Sequence, residues 1–271
     1  METARRPVEW RRAARALKEL LADSSRTDLA FEVTYALGGS SGERLFLRFL
    51  AHPDGLQLLA DRSDLLAALS DRAALAAMPE GSLGRAYLEF LRAGDLSAEG
   101  LVEASETPER PRDVGADRQW FFDRLRDNHD LWHVLTGYGR DEAGEAANLA
   151  FTLGQTRDTG VAFMVLAAAW VGGMAPEVSP DGVRRGWFHW QRYLWQAWRR
   201  GCRAAFLPAA RFEELLVRPL AEVRRALQVE PAEAVHPDGI IVGNRSDDVA
   251  PVGAPSAASA AGSTPAGAAH G

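Results

Sequence analysis

The stretch "RDNHDLWHVLTGYGRDEAGEA", residues 126–146, decides how this chain is read. Just before and within it, Phe121, Phe122, Leu125, Leu131, Trp132 and Leu135 recur three and four positions apart, which predicts a helix over residues 118–136. Residues four apart on a helix lie one above the other, so His129 and His133 can turn both imidazoles toward one point. Asp130 sits about 100° around the helix from His129, beside that point, where it can ligate a metal, orient a histidine or act as a base. Gly137 and Gly139 suit a helix end and a tight turn, and Asp141 suits the cap of a second helix that returns Glu145 toward the histidines. Two imidazoles and one or two carboxylates, with room for water, are donors for a catalytic zinc or a non-haem iron. Histidine pairs at this spacing also decorate ordinary helix surfaces and cores, and spacing alone does not separate these readings.

Outward from the hairpin the helical period continues. "LFLRFLAHPDGLQLLADRSDLLAALSDRAALAAM" (45–78) places apolar residues three and four apart, interrupted by "HPDG". Turn signals fall at "GGSSG" (38–42), "PEGS" (79–82) and "RAGD" (92–95), with a longer loop at "MAPEVSPDG" (174–182). No repeat of 20–50 residues is present, which argues against a solenoid. The expected fold class is all-α: a single helical domain over residues 1–243 built around the two-helix hairpin, then a disordered tail rich in Ala, Gly, Ser and Pro over 244–271.

A formal charge of −6 and a pI near 5.6 exclude a general nucleic-acid binder, whose surface would carry a basic field. Lys18 is the only lysine, so arginine abundance reflects a coding bias and says little about phosphate. One cysteine, Cys202, permits no internal disulfide and fits a reducing compartment. The start, with Glu2, Glu9, Glu19 and Asp23 among its basic residues, reads as an amphipathic first helix and not a signal peptide. The longest apolar run, "GVAFMVLAAAWVGGM" (160–174), falls short of the roughly 20 residues that cross a bilayer. Within it "VAFMVLAAAWV" (161–171) reads first as a core helix, whose small residues leave space for an apolar groove. "WFHWQRYLWQAWRRGCRAAF" (187–206) sets Trp187, Trp190, Leu194, Trp195, Trp198 and Cys202 on one side. His189, Arg192, Gln196, Arg199, Arg200 and Arg203 fall on the other, a wheel read as core packing before membrane contact.

His129, Asp130, two residues, His133, eleven residues and Glu145 resemble the H-D-x-x-H, eleven, E motif of the ubiquinone-biosynthesis family called Coq-four. "MPEGSLGRAYLEFLRAGDLS" (78–97) is similar to another segment of that family, and "RFEELLVRPLAEVRRALQV" (211–229) to its closing helix. The closing segment has Phe212-Glu213 where the family usually has Trp-Glu. The resemblance covers roughly residues 30–232 and is that of a bacterial member. It implies His129, Asp130, His133 and Glu145 as metal ligands, with zinc first and ferrous iron as the alternative. It implies action on the aromatic head group of polyprenylated ubiquinone precursors, as a metal-dependent C1 decarboxylase, oxidative if hydroxylation follows. The alternative is a non-catalytic lipid-binding or scaffold protein that organises other ubiquinone-biosynthesis enzymes around a structural metal. A zinc hydrolase is a weaker rival, since Asp130 is one methylene shorter than the zincin glutamate. Arg126, three residues ahead of His129, is the candidate partner for the substrate carboxylate. The expected setting is the bacterial cytoplasm, peripheral on the inner face of the cytoplasmic membrane. The oligomeric state stays open.

Overall fold

A computed structural model of the chain describes residues 7–23, 26–94, 98, 102, 105, 115–174, 177–178, 184–236 and 241. The tail expected over 244–271 lies outside them. The architecture is all-α, apart from a two-residue antiparallel ribbon that pairs 177–178, within the loop expected over 174–182, with 184–185 just beyond it.

Helices α1 (Trp10–Ala22) and α2 (Thr27–Leu37) pair through Ala13, Ala16, Val33 and Ala36. Helix α3 (Ser41–Leu50) follows the first turn signal, and α4 (Pro53–Asp61) begins on Pro53, where a missing N–H costs nothing. Asp64 and Asp71 cap α5 (Leu65–Ser70) and α6 (Arg72–Ala77), each carboxylate accepting a backbone N–H at 2.9 Å. Helix α7 (Leu83–Ala93) carries the "LGRAY" segment.

The predicted helix over 118–136 is two helices, α8 (Ala116–Asp127) and α9 (His129–Thr136), divided at Asn128. Their backbones stay linked, because Asn128 N–H donates to Arg124 O and Asn128 O accepts from Trp132 N, both at 3.0 Å. Helix α10 (Glu142–Thr156) is the central rod, packed against α11 (Thr159–Met174) and most closely against α12 (Trp187–Arg203). Gly201 lets α12 approach: a Cβ there would lie 2.1 Å from the Phe151 carbonyl oxygen. Gln155 locks the crossing, donating to Gly201 O at 2.6 Å and accepting from Leu207 N at 2.8 Å. The main core gathers Tyr87, Leu131, Leu135, Phe151 and Tyr193 between α7, α9, α10 and α12.

The closing segment is not one helix. A turn of 3-10 helix (Leu207–Ala209) precedes α13 (Phe212–Leu215), and Pro219 then separates α14 (Leu220–Ala226), with α15 (Ala232–Val235) beyond. Proline has no N–H to continue a helix. The broken backbone serves α7 instead: Leu83 N and Gly84 N donate to Arg218 O and Leu216 O at 2.9 and 2.8 Å.

Helices α11 and α12 sit differently from their helical wheels. Only Gly160, Val161 and Met164 of α11 are fully buried, and Leu166, Trp170 and Met174 face outward. On α12 the buried side is Trp190, Tyr193, Leu194, Ala197 and Arg200, while Trp195, Trp198 and Cys202 are exposed. The wheel separates two faces by polarity. Which one is covered depends on the partner, and α10 covers the face that runs through Ala197 and Gly201.

Candidate metal centre

The hairpin forms as its local signals require. Helix α9 stops at Gly137, whose φ of 79° is left-handed. Asp141 Oδ1 accepts from Ala143 N and Gly144 N at 3.1 Å, starting α10 and setting Glu145 at its N-terminal end. Gly144 allows the turn to close on that helix, because a Cβ there would meet the Gly139 oxygen at 2.2 Å.

His133 is fully buried, and its Nδ1 lies 3.2 Å from the Tyr138 carbonyl oxygen. His129 Nδ1 lies 3.0 Å from Asp130 Oδ1. A carbonyl and a carboxylate only accept, so each neutral ring places its N–H on Nδ1 and its lone pair on Nε2. Both Nε2 atoms then meet Glu145 Oε2, at 3.3 Å from His133 and 3.7 Å from His129. Lone pairs facing a carboxylate oxygen repel unless a proton or a cation lies between them. His133 Nε2 is buried with no hydrogen-bond partner among the described residues. The ligand atoms of His129, His133 and Glu145 lie within 4.8 Å of one another. The two shorter separations approach the edge, about 3.4 Å, of a tetrahedron with bonds of about 2.1 Å. The donor set therefore fits a small divalent cation.

The electrostatics favour an ionised carboxylate. Burial works against charge on Glu145, but the charges of the His133 and His129 rings and of Arg140 hold its carboxyl down at about 2. Burial also works against a charged His129, yet the bond to Asp130 and the Glu145 carboxylate leave its pKa above the ordinary imidazole value.

Of the residues expected at the site, His129, His133 and Glu145 meet, and Asp130 stands behind His129, where its oxygen fixes the ring. Arg126 is turned to its own helix: its guanidinium bonds Asp127 at 2.9 Å, Asp123 at 3.1 Å and Ser105 at 3.2 Å. Two residues that sequence reasoning passed over contribute. Phe90 of α7 stacks on the His133 ring with centroids 5.6 Å apart. Arg140, in the turn, donates to Gly94 O at 3.3 Å and acts electrostatically on both His129 and Glu145. The available signal was Arg140's place in the turn, five residues before Glu145.

A family model described as coenzyme Q (ubiquinone) biosynthesis protein Coq4 matches residues 12–233. This chain belongs to that family. Its Coq4 relatives include the zebrafish ubiquinone biosynthesis protein COQ4 homolog, mitochondrial, 27% identical over 203 residues, covering 73% of this chain and 69% of that protein. The mitochondrial COQ4 of Pyricularia oryzae is 27% identical over 188 residues, which is 69% of this chain and 57% of that protein. The chain thus spans little more than half of the fungal relative. A crystal structure from Nostoc punctiforme, of a candidate ubiquinone biosynthesis protein, shares the fold with a TM-score of 0.59 at 20% identity. It covers 83% of this chain and all of that one.

Proposed function

We propose that this chain works in ubiquinone biosynthesis as a metal-dependent enzyme that removes the C1 carboxyl of a polyprenylated hydroxybenzoate, with hydroxylation at C1 when the reaction is oxidative. Membership of the Coq4 family supports the pathway. One observation carries the chemistry: two imidazoles with committed Nδ1 atoms converge through Nε2 on one carboxylate oxygen.

His129, His133 and Glu145 would hold the cation, zinc first and ferrous iron where dioxygen takes part. The cation supplies Lewis-acid stabilisation of the charge that develops as the carboxyl leaves. Asp130 keeps the His129 proton on Nδ1. Because Asp130 is engaged there, three protein donors remain instead of four, which favours an open catalytic site over a closed structural one. His133 forms the buried floor, steadied by Phe90 and the Tyr138 carbonyl. The Arg140 guanidinium, which acts electrostatically on Glu145, offers positive charge suited to a substrate carboxylate, whereas Arg126 is bonded to Asp123 and Asp127. In the non-oxidative form the bond from C1 to the carboxyl carbon breaks, its electron pair stays on the ring, and a proton replaces carbon dioxide.

The outward residues Leu166, Trp170 and Met174 of α11 and Phe188 of α12 form an apolar surface on which Trp170 meets Trp187 edge-on at 5.6 Å. It suits peripheral contact with the membrane that holds a polyprenyl substrate. Among the described residues no helix is long and apolar enough to cross that membrane. The same surface favours a second reading, a scaffold for other ubiquinone-biosynthesis enzymes.

The deciding assay follows carbon dioxide released from a carboxyl-labelled polyprenyl hydroxybenzoate, using protein loaded with zinc or with ferrous iron. Release that depends on metal and is lost in Glu145→Gln supports the enzyme. Silence from folded, loaded protein, in air and without it, leaves the scaffold.

A further inference from the structure

Beyond the carbonyl end of α9, arginines from two helices line one cavity of about 860 Å3 between α12, α14 and the approach to α15. Arg199, Arg200 and Arg203 come from α12, and Arg224 and Arg225 from α14. The acid in its lining is Glu230. Glu233 of α15 also acts on Arg200 and Arg224. In a chain of net charge −6, this is a local reversal of sign.

Part of the arrangement is structural. Arg224 donates to Leu135 O at 2.9 Å and Val134 O at 3.0 Å, and Arg200 Nη2 donates to Thr136 O at 2.6 Å. These bonds satisfy the carbonyl end of α9. They leave a remainder, because Arg200 is only 5% exposed and its Nε and Nη1 make no hydrogen bond of good geometry among the described residues, although Tyr138 acts on the guanidinium as a hydrogen-bonding neighbour. Its other neighbours are the faces of Tyr138 and Phe151, at 5.0 and 5.7 Å from Cζ. Burial pushes both Arg200 and Arg224 below the ordinary guanidinium range. A guanidinium does not give up its proton in a protein, so such charges call for an anion instead. Arg199, Arg203 and Arg225 stand exposed around the same space.

We propose that this cavity binds a phosphate-type oxyanion, presented by a soluble phosphate ester or by an anionic phospholipid headgroup. Glu230 and Glu233 offset part of the five positive charges, and a single further carboxylate would balance one more. A phosphate or diphosphate carries more charge and takes the forked donors of several guanidinium groups at once. The volume fits a small-molecule site.

The test uses the full chain in metal-free buffer with two probes. One is inorganic diphosphate followed by calorimetry, and the other is co-sedimentation with phosphatidylglycerol–phosphatidylcholine vesicles against pure phosphatidylcholine. The double variant Arg203→Glu, Arg225→Glu changes exposed residues, and Arg203→Gln with Arg225→Gln serves should the first misfold. Diphosphate binding weakened tenfold or more in the variant assigns a soluble phosphate ligand. Binding confined to anionic vesicles, and weakened equally in the variant, assigns a headgroup. No binding of either probe, or binding undiminished in the variant, overturns the site.

Discussion

Replacing Asp130 by asparagine separates a residue that orients a ligand from one that is itself a ligand. Asp130 Oδ1 accepts the His129 Nδ1–H at 3.0 Å, and its side chain is 12% exposed. The amide keeps the shape of the carboxylate but loses its charge, and a charge-assisted bond of about 1.5–3 kcal/mol becomes a neutral one of about 0.5–1.5. His129 is then free to swing or to change tautomer. Removing such an orienting partner typically lowers metal affinity about 10–100-fold, or about 1.4–2.7 kcal/mol. His133→Ala deletes a buried donor outright and should fall well below that. The assay is zinc titration against a chromophoric chelator at pH 7.5 on wild type, Asp130→Asn, His133→Ala and Glu145→Gln. Wild-type affinity in Asp130→Asn would refute the orienting role. A loss equal to that of His133→Ala would make Asp130 a direct ligand.

Three further outcomes are expected. The His129 pKa is raised, so its contribution to metal-free stability is full below the ordinary imidazole value and fades as pH rises through the raised one. Protons compete with metal in the opposite sense, so on acidification zinc affinity should start to fall above the ordinary imidazole value, and an affinity that stays constant down to that value would count against the arrangement. Arg124, 3% exposed, grips Glu213 with forked bonds of 2.6 and 2.8 Å that tie α8 to α13. Arg124→Met strands that carboxylate and should cost about 3 kcal/mol in urea unfolding; less than 1 would show the pair to be ornamental. Gly144→Ala drives a methyl into the Gly139 carbonyl, so it should cost about 1–3 kcal/mol and weaken zinc binding at least tenfold. Unchanged zinc affinity would show that the turn does not position Glu145.

What the amino-acid sequence determined by itself is the part governed by short-range rules. Apolar residues three and four apart, Gly137 in the left-handed region and Asp141 over two backbone N–H groups specify a helical hairpin. The spacing within that hairpin brings His129, His133 and Glu145 together. The tertiary structure decided whatever depends on a partner distant in the chain. The wheel of α12 offered two faces of different polarity, and burial went to the one crossing α10 at Gly201, taking Arg200 inside and leaving Trp195 and Trp198 outside. Arg200 is accommodated because the carbonyl end of α9 and the Tyr138 ring receive it, a contact spanning 64 positions. The same holds for cations near the site: Arg126 found its acids on its own helix, whereas Arg140 was brought beside Glu145 by the closing of the turn. A helix period tells which residues share a side, but the free energy of covering that side belongs to the element that comes to cover it.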